Sequence, residues 1–546
     1  MTTNTHNFSL GLPDFITLTT DTKETTIPGK QAKLILEQTQ LEFSENENVQ
    51  EIFLTSNEGV KFIKLRWHYH FPQETKFLGD AWERSYGELA WQNFMGSRFM
   101  PWYFLATYFE QADKITLGFG VKVRPSAMCY WQADKFGITL FLDVRCGGVG
   151  VLLNGRKLRL AQIVCMQAKN ITSFFAAQSF CKMMCDDPIL PDHVVYGSNN
   201  WYYAYGDSSE AQILKDTDYV LKLTKQAKNP PYMVIDDCWQ EHHRLNEYNG
   251  GPWRCGNDKF PDMKKLATKL ISKGVKAGIW FRPLQNEDEH IPEIWRLSHN
   301  DCLDPSHPDA LNYIAEDVKR ICSWGFSLIK HDFSTYDLFG KWGFEMNPLV
   351  TLDGWSFFDK SKTSAEIVKD LYKTIYQASR SNNAVIIGCN TIGHLAAGLT
   401  HINRTGDDTS GLNWERTRRM GVNTLTFRLP QHRTFFEIDA DCVGIAGNIS
   451  WQLNKQWAEV LANSGTPLFL SVKPNILSNE QEDELAKIIA IASEQKHNFI
   501  PVDWEYTDCP SIWREHDTTI NYNWFEEAGS NLECKQEKYC AFIPKS

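Results

Sequence analysis

The sequence lacks the features that would direct the chain to a membrane or to a nucleic acid. No apolar run reaches about 18 residues, the length that a membrane-spanning helix needs. Residues 1–12 contain neither the basic stretch nor the apolar stretch of a secretory signal peptide. Acidic residues outnumber basic ones by 67 to 56, and the net charge of −11 argues against a nucleic-acid partner. We therefore expect a soluble, cytoplasmic protein that binds neither nucleic acids nor membranes.

Paired C-x-x-C motifs are also absent, although the sequence contains 14 cysteines. Two groups could be imagined as zinc ligands, Cys181 with Cys185 and the cluster Cys238, His242, His243 and Cys255. Neither has the paired spacing of a structural zinc site. Scattered cysteines are typical of reduced thiols in a large cytosolic protein. We expect no metal and no other cofactor.

The chain has 546 residues, too many for one compact core, so we expect two to four domains. Hydrophobic residues make up 42%, which is typical of a globular protein. In residues 65–71 apolar and polar side chains alternate, and residues 115–123 and 138–144 also have the pattern of strands. Many strands and few helical patterns predict a β-sandwich domain over residues 1–193.

From about residue 194, strand patterns alternate with helical patterns, as they do in βα units around a parallel sheet. Eight segments have the pattern of strands: 194–203, 232–235, 275–281, 327–331, 384–388, 399–403, 424–429 and 435–438. Helical patterns cover residues 210–228, 263–273, 308–324 and 365–380. We therefore predict a multidomain α/β protein with a central (β/α)8 TIM barrel at residues 194–497 and a small C-terminal β domain at residues 498–546.

Two acidic motifs contain the candidate catalytic residues. An apolar run ends in Lys330-His331-Asp332, and Arg404 is followed by Asp407 and Asp408 in a glycine-containing loop. Residues i and i+2 of a strand share a face, so Lys330 and Asp332 should face one site and His331 should pack on the other side. Two carboxylates presented from two strand ends suit glycoside hydrolysis, which needs a nucleophile and a proton donor.

Other polar residues follow strands of the same predicted barrel, where side chains face the active site. Asp236 and Asp237 end the second strand, although a helix N-terminus also favours such an acidic pair. The remaining strand-end residues are Trp280, Arg282, Cys389, Asn390, Asp439 and Asp441. We expect Asp439 and Asp441 to hold loops or arginine side chains.

Taken in order, these motifs resemble those of the α-galactosidases of glycoside hydrolase clan D, which contains families 27 and 36. The matching motifs are Ile235-Asp236-Asp237-Cys238-Trp239, Gly278-Ile279-Trp280, Lys330-x-Asp332, Arg404-x-x-x-Asp408 and Asp439-x-Asp441-Cys442. The resemblance covers about residues 195–495. The β-rich region before the barrel is similar to the family 36 layout, although the chain is shorter than typical members.

The resemblance implies a role for each matched residue. Asp332 matches the catalytic nucleophile and Asp408 the acid/base, with Asp407 as the second candidate. Asp236 and Asp237 match the carboxylates that bind O4 and O6 of galactose. The remaining matches are substrate-binding positions: Trp280 in the pocket wall, Lys330 near the ring hydroxyls, Cys389 near the 2-hydroxyl, and Arg404 beside the acid/base.

The resemblance therefore implies a retaining α-galactosidase that hydrolyses terminal α-galactosides by double displacement. We expect the pKa of the acid to be raised by burial or by Asp407. An α-N-acetylgalactosaminidase and a transglycosylase remain alternatives, as does a non-catalytic carbohydrate-binding protein on the same scaffold. Two points stay open: whether the protein is a homo-oligomer, and whether residues 79–87, around Trp82, reach the active site or only fill a domain interface.

Overall fold

A computed structural model describes residues 5–94, 96 and 98–526 of the chain. Its first part consists of antiparallel sheets. Their strands are β1 (Thr5–Phe8), β2 (Phe15–Thr20), β3 (Glu24–Pro28), β4 (Lys33–Leu36), β5 (Thr39–Asn46), β6 (Val49–Ser56), β7 (Val60–His68), β8 (Lys76–Gly79), β9 (Gln92–Asn93), β10 (Phe99–Pro101), β11 (Tyr103–Glu110), β12 (Asp113–Val121), β13 (Met128–Asp134), β14 (Gly137–Asp143) and β15 (Leu158–Lys169).

These strands form two sheets. One has the order β4-β5-β6-β15-β12-β11-β8-β9, with β1 also paired to β15, and the other has the order β10-β13-β14-β7-β2-β3. Alternating strands such as β6 bury every second side chain, the pattern of a strand with one face on a core. The sheets contact each other through aromatic pairs such as Phe104 and Trp131, whose ring centroids lie 6.0 Å apart. The antiparallel strands predicted in this region are confirmed.

The middle of the chain forms a parallel sheet. Its strands are β16 (Tyr196–Asn199), β17 (Tyr232–Ile235), β18 (Lys276–Phe281), β19 (Leu328–His331), β20 (Val385–Gly388), β21 (Ile402–Arg404), β22 (Glu437–Asp439), β23 (Cys442–Ile445) and β24 (Leu468–Val472). The strand order is β22-β21-β20-β19-β18-β17-β16-β24-β23, with every neighbouring pair parallel. The strands that begin and end this order, β22 and β23, are separated in the chain only by Ala440 and Asp441.

Three details of the predicted strand set are wrong. The segment 424–429 is helical, and Thr426 donates its hydroxyl to the carbonyl of Val422 at 2.7 Å, a bond that threonines inside helices make. Residues 442–445 and 468–472 were not predicted as strands, yet β23 pairs with β24, and β24 also pairs with β16. The residues of both strands are all buried, so no alternation of polar and apolar side chains marks them.

Helices connect the parallel strands. The α-helices are α1 (Ser173–Met184), α2 (Trp201–Ala204), α3 (Glu210–Leu223), α4 (Met263–Lys273), α5 (Pro308–Ser323), α6 (Ser334–Phe339), α7 (Ser364–Ser379), α8 (Gly393–Ala396), α9 (Trp414–Thr417), α10 (Thr424–Arg428), α11 (Trp451–Ser464) and α12 (Asn479–Ala492). Helix α4 is typical: Asp262 caps its first turn, and Gly274 ends it in the left-handed conformation. No helix among the described residues is long and apolar enough to cross a lipid bilayer.

A small antiparallel sheet follows, formed by β25 (Ile500–Pro501), β26 (Ile512–Glu515) and β27 (Thr518–Asn521). Residues 527–546 of the predicted C-terminal domain lie outside the described residues.

Residues 80–87, between β8 and β9, leave the first sheet and lie against the parallel sheet; we call them the 80–87 segment. The amide of Ser85 donates to the carbonyl of Thr405 at 2.9 Å, and the amide of Asp407 donates to the carbonyl of Ser85 at 3.1 Å. Asp80 accepts hydrogen bonds from Arg428 and Gln431, both at 2.8 Å. The segment is thereby fixed beside the loop that follows β21.

Candidate functional site

A cavity opens at the carboxyl ends of the parallel strands. Its lining comes from strand ends β17, β18, β19 and β21, from loops, and from the 80–87 segment. The lining residues are Arg84, Trp201, Asp236, Asp237, Asn249, Trp280, Lys330, Asp332, Phe333, Trp342 and Asp408. In parallel α/β folds, ligands bind at this end of the strands.

One wall of the cavity holds the acidic pair. Lys330 Nζ lies 2.8 Å from Asp236 Oδ2, which also accepts a hydrogen bond from Asn199 Nδ2. Burial alone would lower the pKa of Lys330, but the surrounding acidic groups, first among them Asp236, together outweigh burial and hold that pKa well above its usual value. Lys330 and Asp236 are therefore a buried ion pair, and Asp236 is the direct partner of this lysine.

Asp237 has a different environment from its neighbour. It accepts a hydrogen bond from Gln240 Nε2 at 2.8 Å. Within the part of the chain that the structure describes, the nearest basic partner of Asp237 is His243, whose Nε2 lies 3.9 Å away. Burial, with the nearby charge of Asp236, raises the pKa of Asp237 to about 8. The acidic pair therefore combines a paired carboxylate with a carboxyl group that keeps its proton at neutral pH.

Asp332 follows β19 at the base of the cavity. Trp280 Nε1 donates to Asp332 Oδ2 at 3.2 Å, and the amide of Phe333 donates to Asp332 Oδ1 at 2.7 Å. Phe333 has a φ of 63°, a conformation that a bulky residue adopts only when its surroundings impose it. Both carboxylate oxygens of Asp332 are thus oriented as acceptors. His331 lies on the opposite face, buried against Ser334, as predicted.

Asp408 lies in the loop that follows β21 and lines the same cavity. Arg404 Nη2 donates to Asp408 Oδ1 at 3.2 Å and to Asp441 Oδ2 at 2.8 Å. The prediction that Asp441 holds an arginine is confirmed. Arg404 Nη1 also donates to Cys389 Sγ at 3.4 Å, and burial raises the pKa of this thiol.

The charges around Asp408 contradict one expectation. Burial alone would raise the pKa of Asp408, but that pKa lies below its usual value because four cations outweigh burial: Arg404, Lys330, Arg84 and Arg416. The expectation that the pKa of the acid is raised is therefore wrong. Asp407 is itself engaged by Arg84 Nη1 at 3.2 Å and by Arg416 Nη2 at 2.9 Å.

Asp407 also faces another space. It lines a larger cavity of about 670 Å³ between the 80–87 segment and residues 342–347, whereas Asp408 lines the cavity that contains Asp332. Of the two neighbouring acids, only Asp408 shares the cavity of Asp332. Trp342 lines both cavities.

Six of the residues predicted from the sequence line one cavity: Asp236, Asp237, Trp280, Lys330, Asp332 and Asp408. Cys389 and Arg404 do not line it, and Arg404 contacts both Cys389 and Asp408. Five other lining residues were not predicted, namely Arg84, Trp201, Asn249, Phe333 and Trp342. Only Arg84 had a signal in the sequence, because it lies within the aromatic-rich stretch whose contact with the site was left open. Among the described residues, no group of His, Cys, Asp and Glu is arranged to hold a metal ion.

Known proteins with similar sequences are plant enzymes. An α-galactosidase of Oryza sativa is 31% identical over 138 residues, which are 25% of this chain and 28% of the relative. An α-galactosidase of Cyamopsis tetragonoloba is 27% identical over 168 residues, 31% of this chain and 36% of the relative. The resemblance to α-galactosidases is confirmed. The match spans about a third of the length of these curated relatives, and no family model matches the chain.

Solved structures of α-galactosidases have a similar fold. An enzyme from Thermus thermophilus, in complex with stachyose, gives a TM-score of 0.57 at 16% identity and covers 84% of this chain and 100% of its own. A family 36 α-galactosidase from Geobacillus stearothermophilus, in complex with 1-deoxygalactonojirimycin, gives a TM-score of 0.55 at 13% identity. The match covers 85% of this chain and 69% of that structure. A family 31 sulfoquinovosidase from E. rectale gives a TM-score of 0.58 at 12% identity. The match covers 94% of this chain and 87% of that structure. These likenesses establish a multidomain α/β fold with a parallel sheet; sugar specificity depends on the site, because one fold serves several glycosidases.

Proposed function

We propose that the protein is a retaining α-galactosidase that removes terminal α-galactosyl groups by double displacement. The observation that carries this proposal is that Asp332 and Asp408, which follow different strands, line one cavity together with the acidic pair. Retaining glycosidases need two carboxyl groups about 5–5.5 Å apart across the bond that breaks. The sequence similarity to plant α-galactosidases supports the choice of galactose.

In this proposal the scaffold is a closed (β/α)8 barrel. Strands β16 to β21 supply the first six strands, and β24 the eighth. The seventh is interrupted: β22 pairs with β21, β23 pairs with β24, and only two residues separate β22 from β23. The domain limits 1–193, 194–497 and 498–546 also remain proposals.

Asp332 acts as the nucleophile. Its two oxygens accept hydrogen bonds from Trp280 and from the Phe333 amide, which orients the carboxylate towards the cavity. Attack on the anomeric carbon forms a covalent glycosyl-enzyme ester and breaks the bond to the leaving oxygen, which takes a proton from Asp408. A water molecule then gives a proton to Asp408 and releases the sugar from Asp332.

Asp408 has to be protonated for the first of these steps. Because cations lower the pKa of Asp408, its protonated fraction falls early as pH rises. The basic limb of kcat/KM reports the acid of the free enzyme. We therefore expect that limb on the acidic side of neutrality.

Asp236 and Asp237 bind hydroxyl groups of the galactosyl ring, with Lys330 as a neighbouring donor. Paired with Lys330, Asp236 is an acceptor. Asp237, whose pKa is about 8, can donate a hydrogen bond at neutral pH. A donor and an acceptor side by side discriminate between an axial and an equatorial O4, because the wrong epimer leaves buried polar groups unpaired.

The substrate class we propose is an oligosaccharide with a terminal α-galactosyl group. Stachyose is bound in the Thermus thermophilus structure, which supports this class. Hydrolysis by this route requires no metal or cofactor. The cytoplasmic location, the absence of nucleic-acid or membrane partners, and oligomer formation remain predictions.

Turnover of a panel of aryl glycosides tests the proposal. We expect release of the aryl group from the α-galactoside and almost none from the α-glucoside, the α-N-acetylgalactosaminide or the α-sulfoquinovoside. NMR of the first product should show the α-anomer. A β-anomer would contradict the retaining mechanism, preference for another sugar would contradict galactose specificity, and no turnover of any glycoside would favour a binding protein.

A further inference from the structure

Arg84 is the cavity residue that comes from the N-terminal part of the chain. Its side chain is 3% exposed, and it lines the same cavity as Asp332 and Asp408. Flanking contacts of the 80–87 segment hold it there: Glu83 accepts hydrogen bonds from the Gly343 amide at 2.9 Å and from Asn390, and Ser85 pairs with residues 405–407.

The guanidinium group of Arg84 has unused hydrogen-bond donors. Nε and Nη2 have no hydrogen-bond partner among the described residues, and the contact from Nε to Glu83 is 3.7 Å long. Native proteins rarely leave buried donors unpaired, because the lost hydrogen bonds with water are costly. Unpaired donors of a fixed, planar guanidinium group in a cavity therefore point to a ligand with suitable oxygen acceptors.

The location of Arg84 indicates which part of a substrate it would meet. Its guanidinium carbon lies 5.3 Å from the centre of the Trp342 ring, and Trp342 also lines the larger cavity. Asp407, 3.2 Å from Arg84 Nη1, lines that larger cavity as well. Arg84 is thus on the side of Asp407 and Asp408, where the protonated leaving oxygen belongs, while the galactosyl ring is assigned to the acidic pair.

We propose that Arg84 binds hydroxyl groups of the leaving saccharide, and that further sugar units extend into the larger cavity beyond Trp342. This inference rests on the proposed function. The larger cavity suits a saccharide, because it combines aromatic side chains with charged and amide groups that can bond hydroxyls; among these are Tyr86, Phe344, Glu345 and Asn347. Arg84 then determines preference for an oligosaccharide over a simple glycoside.

The test compares two substrates of the full-length protein, the trisaccharide raffinose and an aryl α-galactoside with a good leaving group. In Arg84→Met the ratio of kcat/KM for raffinose to kcat/KM for the aryl substrate should fall at least tenfold. Arg84→Lys keeps the charge beside Asp407 but loses the planar fork, so the ratio should also fall. Loss of the positive charge should move the basic limb of the aryl pH profile to higher pH in Arg84→Met and leave it in place in Arg84→Lys.

Arg428→Met is the control, because Arg428 anchors the same segment through Asp80 and lines neither cavity. This variant should lower kcat/KM for raffinose and for the aryl substrate by the same factor. Parallel losses in both Arg84 variants, or an unchanged ratio, would overturn the inference and make Arg84 a structural residue. If Arg84→Met does not fold, the ratio in Arg84→Lys decides alone. Failure of wild type to hydrolyse either galactoside would instead refute the proposed function.

Discussion

The two sides of the candidate active-site cavity are built in different ways. On one side, Asp236, Asp237, Lys330 and Asp332 stand at the ends of parallel strands β17 and β19, with β18 between them. On the other side, Asp408 lies in the loop after β21. It pairs with Arg404, the last residue of that strand, and shares the cavity with Arg84 of a segment more than 300 residues away in the chain. Each acid of the strand side directly follows the strand that places it, whereas the loop side also requires a segment from the N-terminal sheets.

This difference has a functional consequence. The strand side keeps its geometry as long as the sheet is intact, which suits recognition of one fixed sugar. The loop side requires the N-terminal sheets, which place the 80–87 segment against residues 405–407. If the proposed function is correct, residues that recognise a variable leaving group can change there without disturbing the site of the galactosyl ring.

The largest effect should come from Asp332, which the strand side fixes through two hydrogen bonds. We expect Asp332→Ala to lower kcat on an aryl α-galactoside at least about a thousandfold, because the covalent intermediate can no longer form. Azide should restore part of the activity by replacing the missing nucleophile. Asp517→Ala makes the same change at an exposed turn and should be neutral. Near-normal activity of Asp332→Ala would remove Asp332 from the nucleophile role.

A smaller effect is expected at the acidic pair. Asp236→Asn and Asp237→Asn should each lower kcat/KM on α-galactosides at least about tenfold, or about 1.4 kcal/mol. Asp236→Asn should cost more at neutral pH, since it also leaves Lys330 without its ion partner, whereas Asp237 is already uncharged there. Steady-state kinetics at pH 7 measure both. Equal activity of the variants and wild type would show that galactose is not held by this wall.

Asp237 should also make stability depend on pH. Its folded pKa of about 8 lies above the usual value of about 4, so the folded state holds the proton more tightly than the unfolded state. The resulting stabilisation is present below about pH 4 and is lost as pH rises to 8, by up to about 1.4 kcal/mol per pH unit.

Asp237→Asn cannot titrate. Its thermal midpoint relative to wild type should therefore rise between pH 5 and pH 8. Asp218→Asn, an exposed change on α3, should show no such trend. A constant difference between Asp237→Asn and wild type across this range would mean that Asp237 is ionised in the folded protein.

The same comparison explains what the sequence could predict. Strand ends such as Tyr232–Ile235 followed by Asp236 are recognisable, because a buried apolar run and the acid after it are adjacent in the chain. Thr424–Leu429 was predicted as a strand but is helical, because a short segment rich in apolar and β-branched residues does not distinguish a strand from a buried helix. The place of Arg84 could not be predicted, because it depends on pairing between Ser85 and Thr405, which no local pattern encodes.

Substitution of Cys389 should have the smallest effect on activity. It tests whether this residue contacts the sugar or only supports Arg404 on the loop side. The resemblance to α-galactosidases places this position near the 2-hydroxyl, yet the sulfur accepts a hydrogen bond from Arg404 and does not line the cavity. Cys389→Ser keeps an acceptor for Arg404, so we expect kcat/KM on an aryl α-galactoside to change less than about threefold, within the range of one hydrogen bond. Cys389→Ala removes that acceptor and should affect the pH profile through Arg404 and Asp408 more than it affects KM. A tenfold rise in KM for Cys389→Ser would instead mean that the sulfur contacts the sugar directly.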